Sequence, residues 1–286
     1  MESTDYYGIS TKEFIEKALR EDVGDGDHTS LSTISETSKG IANVKVKEKG
    51  VIAGLALAEQ ILNQVDSSLI ANVLVAEGSS VKPGDIVMTI EGTTRSLLMA
   101  ERLLLNCMQR MSGIATLTRQ YVQELKGTAT KVLDTRKTTP NFRIFEKMAV
   151  QLGGGVNHRF GLYDMILIKD NHVDAAGGIE NAIERANEYL KTTGKKLRIE
   201  IETRNLEEVR QVLKTGKVDR IMLDNFTPNL LKEAIQLIDK NYETEASGGI
   251  TLETIRSFAE SGVDFISVGA LTHSHKSLDI SMKIIK

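Results

Sequence analysis

The sequence has little that would tie it to an oxidising compartment, a membrane or a nucleic acid. It contains one cysteine, Cys107, so no internal disulfide can form, and a reducing compartment is expected. It has no excess of charge of one sign. Its 36 Lys and Arg stand against 39 Asp and Glu, a formal net charge of -3, so no global basic field points to nucleic acid. Any anionic ligand must then be held by a local cluster of cations. Long apolar runs are missing too. The most apolar helical stretch, Leu97 to Met108, is interrupted by Glu101 and Arg102 and is too short and too charged to span a bilayer. The opening residues, Met1 to Gly8, carry acid and no apolar core, which does not read as a signal peptide. A cytoplasmic protein with no membrane partner is the expectation. Low-complexity segments and charge blocks are also lacking. What remains is an ordinary globular composition, 41% apolar and 26% charged over 286 residues. That is enough chain for one large domain or two modest ones with a sizeable core.

The chain has two textures. Residues 1–115 are mixed. Helices are expected over Thr11 to Arg20 and Ala56 to Val65, a strand over Ile41 to Val46, and a loop over Glu21 to Ser30. Two short strands between Ala71 and Ile90 flank the turn Glu77 to Asp85. That turn is similar to those of biotinyl and lipoyl carrier domains but has no matching lysine, so it reads as structural. A long helix is expected from Ser96 to Arg110. Residues 116–286 alternate regularly. Strand-like runs at Lys131–Asp134, Met165–Ile168, Leu197–Ile201, Arg220–Leu223, Tyr242–Ala246 and Phe265–Val268 are separated by helical patterns such as Leu206–Leu213, Asn229–Ile238 and Leu252–Ser261. Strand and helix in alternation imply a parallel sheet. The spacing of about 22 residues from Glu202 to Asp224 to Ser247 to Gly269 is the rhythm of a βα barrel. Six strands are too few for a full barrel, so an open, incomplete one is expected, with a doubly wound sheet as the alternative.

Polar residues gather where these strands end: Asp134 to Thr139, Lys169 to His172, Glu202, Asp224-Asn225, Ser247 to Gly249, and Gly269. In a βα barrel that is the catalytic face. Arg136-Lys137 puts a planar fork beside a point charge and reads as an anion clamp. Gly153-Gly-Gly-Val-Asn-His-Arg159 reads either as a flexible connector or as a glycine loop that brings backbone N–H groups, His158 and Arg159 to an anion. Ser247-Gly-Gly249 before a helix, and Val268-Gly-Ala270, suit a phosphate. Glu202 and Asp224 could hold Mg²⁺, bind ribose hydroxyls, act as acid and base, or only pair with Lys169 or Arg204.

These residues carry a resemblance. Asp134-Thr-Arg-Lys-Thr-Thr-Pro140, Gly153 to Arg159, Leu167-Ile-Lys-Asp-Asn-His172, Leu223-Asp-Asn225, Ser247-Gly-Gly249 and Val268-Gly-Ala-Leu-Thr-His-Ser274 resemble, in this order, the quinolinate phosphoribosyltransferases. Glu21 to Ser30, Glu101-Arg102 and Met111-Ser-Gly-Ile-Ala-Thr116 extend the likeness over nearly the whole chain. The resemblance implies an amino-terminal α/β sandwich followed by an open βα barrel, in a homodimer with shared active sites. It implies phosphoribosyl transfer from phosphoribosyl pyrophosphate to quinolinate with decarboxylation, a step of NAD biosynthesis. By the same likeness Arg136, His158 and Arg159 contact the carboxylates of quinolinate, and Arg102 reaches in from the partner subunit. Lys137 and Lys169 serve both substrates, and Glu202 and Asp224 hold the ribose hydroxyls and Mg²⁺. Ser247, Gly248, Gly249, Gly269 and Ala270 cradle the 5′-phosphate. Catalytic roles fall on Lys137, Lys169, Glu202 and Asp224, with no general base named and no role for His275. Asn141-Phe142 stands where the family often has Gly-Leu, but Asn tolerates a left-handed backbone. Cys107 replaces a larger apolar residue.

Two other readings compete. A relative of the same fold could transfer phosphoribosyl to a different acceptor, against which the complete cation set argues. A non-catalytic barrel could only bind phosphorylated metabolites, and such a protein would be expected to have lost Lys137, Glu202 or Asp224.

Overall fold

The computed structural model describes residues 10–285, so the reading of Met1 to Gly8 lies outside the described residues. In chain order the elements are α1 (Thr11–Val23), α2 (His28–Thr33), β1 (Lys39–Val46), β2 (Gly50–Val51), α3 (Leu55–Val65), β3 (Ile70–Val73), β4 (Ser80–Val81), β5 (Ile86–Thr93) and α4 (Thr94–Glu124). They continue with β6 (Lys131–Leu133), α5 (Arg143–Gly153), β7 (Ile166–Ile168), α6 (Asp170–Ala176), α7 (Ile179–Thr193), β8 (Ile199–Thr203) and α8 (Leu206–Thr215). The last are β9 (Arg220–Asp224), α9 (Pro228–Ile238), β10 (Glu243–Ser247), α10 (Ile255–Ala259), β11 (Phe265–Ser267), α11 (Ala270–His273) and β12 (Ile280–Ile284). Contacts divide the chain into two units, and it passes between them after Arg119, Lys137, Gly154 and Ser274.

The first unit holds a four-stranded antiparallel sheet in the order β12-β1-β5-β3. β1 alternates as a half-buried strand should, with Ala42, Val44 and Val46 buried. The turn Glu77 to Asp85 is structural. Gly78 and Gly84 take positive φ, the Glu77 carboxylate accepts the N–H groups of Gly54 and Ala56 at the start of α3, and Asp85 accepts from Lys82. The segment Glu21 to Ser30 is not all loop. Helix α1 runs on to Val23, and Asp27 caps α2 by accepting the Ser30 N–H at 3.1 Å. Helix α4 is far longer than its apolar pattern suggested. Its small residues Ser112 and Gly113 are packing positions rather than a stop: Ser112 Oγ accepts the Ala53 N–H at 2.9 Å, and a Cβ on Gly113 would collide with the Lys276 carbonyl. Asn141 is left-handed, at φ 63°, as the turn requires.

The second unit is a six-stranded sheet in the order β6-β11-β10-β9-β8-β7, with every pair parallel. All six expected strands are present. β6 and β7 stand at its two ends without pairing, so the barrel is open. Beside β6 the seam carries one parallel bridge, Leu133 to Val156. The helices follow their caps and apolar stripes. In α9, Thr227 caps, Pro228 takes the first turn, and Leu231, Ala234 and Ile238 are buried at helical spacing.

Candidate active site

The barrel interior is charged rather than apolar, and strand register explains how. Residues two apart on one strand face the same way. In the ladder of β8 with β9, Glu200 lies opposite Arg220 and Glu202 opposite Met222. In that of β9 with β10, Arg220, Met222 and Asp224 meet Glu243, Glu245 and Ser247. By register Glu200, Arg220 and Glu243 lie in one row and Glu202, Met222 and Glu245 in the next, with Glu202, Asp224 and Ser247 nearest the carboxyl ends, the rim.

At that rim opens a cleft of about 740 Å³. Every expected site residue except Arg102 lines it: Arg136 and Lys137 after β6, His158 and Arg159 ahead of β7, and Lys169 after β7. Glu202, Asp224, Ser247, Gly248, Gly249, Gly269 and Ala270 complete the set at the ends of β8 to β11 and the turns that follow. Arg102 belongs to the first unit. It is exposed on α4, and no ion pair joins it to Glu101 or Asp85 among the described residues.

Of the Gly153-Gly-Gly155 run, the first two glycines answer to packing. Gly153 ends α5, where a Cβ would press on Thr118 and the Ala115 carbonyl, and Gly154 is its left-handed cap. The run is neither a loose connector nor part of the cleft lining. Asp134 is wholly buried and accepts the His158 N–H at 2.9 Å, which joins the ends of two sequence motifs. At Gly248, with φ +100°, a Cβ would strike Asn225 Oδ1, so only glycine lets these two strand ends approach. At Gly269 a Cβ would lie 3.1 Å from Lys137 Cδ and 3.0 Å from His273 Nε2.

The charges fall into two groups. Lys169 Nζ lies 3.4 Å from Glu202 Oε2, whereas Arg204 turns away to Glu208 and Asp174. Burial raises Glu202 above the usual carboxylate range, with Lys169 opposing and Asp224 adding to the rise. Burial likewise raises Asp224, against hydrogen bonding from Ser247. Two facing carboxylates that carry this penalty, with one lysine between them, suit a hard dication bound through oxygen. Elsewhere in the cleft, burial and then Arg136 lower Arg159, so its charge is disfavoured until an anion answers it. Arg159 Nη1 donates to the Met165 carbonyl at 3.2 Å.

Glu200, Glu245 and Arg220 were missed by the sequence reading. They stand inside strands taken as apolar runs, and their spacing of two from Glu202, Ser247 and Met222 was the signal that they share the barrel's inner face.

An open βα barrel with adjoining cationic and carboxylate groups at its strand ends defines an α/β-barrel protein that handles anionic, phosphate-bearing ligands. Comparison with known families makes this specific. The family described as "Quinolinate phosphoribosyl transferase, C-terminal domain" matches residues 114–283, and "Quinolinate phosphoribosyl transferase, N-terminal domain" matches residues 27–112. The chain belongs to the quinolinate phosphoribosyl transferase family. It is 46% identical over 288 residues to a chloroplastic nicotinate-nucleotide pyrophosphorylase (carboxylating) of Arabidopsis thaliana, covering 96% of this chain and 82% of that protein. It is 42% identical over 276 residues to a probable nicotinate-nucleotide pyrophosphorylase (carboxylating) of Bacillus subtilis, covering 96% and 94%. The crystal structure of NadC from Streptococcus pyogenes superposes with a TM-score of 0.91 at 39% identity, covering 96% of both chains.

Proposed function

We propose that the protein transfers the phosphoribosyl group of phosphoribosyl pyrophosphate to quinolinate and releases CO₂, giving nicotinate mononucleotide and pyrophosphate. The observation that carries this reading is that Arg136 and Arg159 line one cleft together with Glu202 and Asp224. Two cations in one cleft are stabilised by a dianion, and quinolinate is one.

Arg136, His158 and Arg159 contact the two carboxylates of quinolinate. Lys137 and Lys169 neutralise both substrates. The turns at Ser247, Gly248 and Gly249 and at Gly269 and Ala270 hold the 5′-phosphate through backbone N–H groups. Glu202 and Asp224 orient the ribose hydroxyls and would hold Mg²⁺, which when bound supplies charge stabilisation to departing pyrophosphate. The bond between the anomeric carbon and pyrophosphate oxygen breaks, and Glu202 and Asp224 lie where the cationic character on the ribose develops. The pyridine nitrogen, aligned by the carboxylate clamp, forms the new bond. That nitrogen is then cationic and stabilises, by its charge, the electron pair left on the adjacent ring carbon when the 2-carboxylate leaves as CO₂, after which that carbon takes a proton. The attacking nitrogen carries no proton to lose, so its attack needs no general base.

We further propose a two-fold dimer in which Arg102 completes the partner's acceptor site, supported by its exposure on α4 without an ion pair to Glu101 or Asp85. No helix among the described residues is long and apolar enough to cross a membrane. A cytoplasmic setting fits the single, buried Cys107. Measuring CO₂ and pyrophosphate release in one coupled reaction with quinolinate tests the whole reading. Equal release of both supports it, and release of neither overturns it.

A further inference from the structure

At the floor of the cleft, which Glu245 lines, lie charges that the reaction above leaves unused. Glu200 on β8 and Glu245 on β10 have no exposed surface. Both approach the His158 ring, with Nε2 3.0 Å from Glu200 Oε2 and 3.4 Å from Glu245 Oε2. Arg220, on β9 between their two strands and 8% exposed, meets the same oxygens at 4.0 Å for Glu200 and 3.0 Å for Glu245. Its guanidinium carbon lies 4.2 Å from the centre of the Phe265 ring. On the upper side, His158 Nδ1 accepts the backbone N–H of Arg159 at 2.7 Å. Each ring nitrogen of His158 is thus engaged by protein, one by the floor and one by the clamp.

Two carboxylates buried side by side are costly unless two positive charges answer them. Arg220 supplies one. The other is a proton kept among the carboxylates: because Nδ1 accepts from Arg159, the ring is neutral, with its own proton on Nε2 facing Glu200 and Glu245. A metal ion here would add charge to a group that Arg220 and this proton already balance, although His158, Glu200 and Glu245 bring their ligand atoms within 4.8 Å of one another.

We propose that Glu200, Glu245 and Arg220 are positioning residues that lock the His158 ring, and through its hydrogen bond to the Arg159 backbone set the orientation in which Arg159 receives an acceptor carboxylate. They act on acceptor binding and leave the phosphoribosyl side alone. The proposal rests on the acceptor being quinolinate, held by Arg159.

The test uses the full chain with quinolinate and phosphoribosyl pyrophosphate titrated separately by calorimetry. In Glu245→Gln, the dissociation constant for quinolinate should rise about tenfold, within the range that coupled neighbours show, while that for phosphoribosyl pyrophosphate stays within about twofold. Turnover at saturating quinolinate should stay within about threefold of wild type, since the lesion is in binding. A double-mutant cycle supplies the reading that a loosened fold would not give. If Glu245 acts through Arg159, adding Glu245→Gln to Arg159→Lys should weaken quinolinate binding little further. Additive losses, equal weakening of both substrates, or unchanged quinolinate affinity would each overturn the proposal. Should Glu245→Gln fail to fold, Glu245→Asp keeps the charge but withdraws it from His158, and the same selective loss is required of it. Wild-type protein that binds no quinolinate would overturn the functional reading itself, a result distinct from wild-type binding that Glu245→Gln leaves unaltered.

Discussion

Arg159→Ala should separate affinity from stability, because the structure gives the two effects opposite signs. In the free protein Arg159 is half-buried beside Arg136, and both burial and that neighbour disfavour its charge. Deleting it relieves a like-charge contact and costs one hydrogen bond, to the Met165 carbonyl. Net hydrogen bonds in proteins contribute about 0.5–1.5 kcal/mol, so the melting temperature should hold steady or move by only a few degrees. In the complex the loss is one-sided. Removing a partner from a buried charged contact costs about 2–5 kcal/mol. At about 1.4 kcal/mol per decade, that is roughly 30-fold to several thousandfold in the dissociation constant for quinolinate. Phosphoribosyl pyrophosphate, for which Glu202, Asp224 and the glycine turns are the proposed partners, should weaken by less than about tenfold, since separated charges across a wet cleft are screened. Calorimetry with each substrate, together with thermal denaturation, reads all three quantities. A variant that melts far lower, or that loses both ligands equally, would refute the assignment of Arg159 to the acceptor.

Three further outcomes are expected. Chelation of Mg²⁺ should abolish turnover yet leave far-UV circular dichroism unchanged, because two rim carboxylates are not a structural cage; a loss of ellipticity with the metal would contradict this. Arg102→Ala and Lys169→Ala chains, each inactive as homodimers, should regain activity on subunit exchange. Random mixing leaves about a quarter of all sites whole, and verified exchange without recovery would confine Arg102 to its own chain. Stability should fall as pH rises from 4.5 towards 7. Burial, and then Glu245, push the Glu200 carboxyl up to about 7 in the fold against 4.5 when free, so its contribution is complete below the lower value and is lost as pH climbs through the upper. Melting temperatures across that window should decline in wild type and flatten in Glu200→Gln, which removes one of the carboxylates that hold the proton; a flat wild-type profile would count against the buried charge set.

Much of the catalytic half was legible because its signals are local. Each barrel strand is a short strand-like run, and most of the expected cleft residues stand where such a run ends, His158 and Arg159 ahead of β7 being the exceptions. Asn141 was read as a tolerated left-handed position and is one, at φ 63°. What escaped was non-local. Glu200, Arg220 and Glu245 look like interruptions of apolar strands until the sheet curls and turns them inward to share charge. The role of Gly153 depends on Ala115 and Thr118, far back in the chain, and that of Gly113 on Lys276, far ahead. Helix α4 also outran its expected end at Arg110, continuing through Ser112 and Gly113 to Glu124. Asp134 carries no mark in the sequence to say that it serves the His158 backbone rather than a ligand.

The pairing of β1 with β12 bears on how the molecule is made. β1 lies between β5, which follows within about 50 residues, and β12, whose register Ala42 to Ile284 and Val46 to Ile280 spans nearly the whole chain. During synthesis every barrel strand emerges before β12 does. Until then β1 presents an unpaired edge flanked by the apolar side chains Ala42, Val44 and Val46, the kind of edge that invites pairing with another chain. The first sheet to be translated is therefore the last to be completed, and its closure is a long-range event with a large loop-closure cost. Nascent or carboxyl-terminally clipped chains are the form in which this protein is most exposed to aggregation.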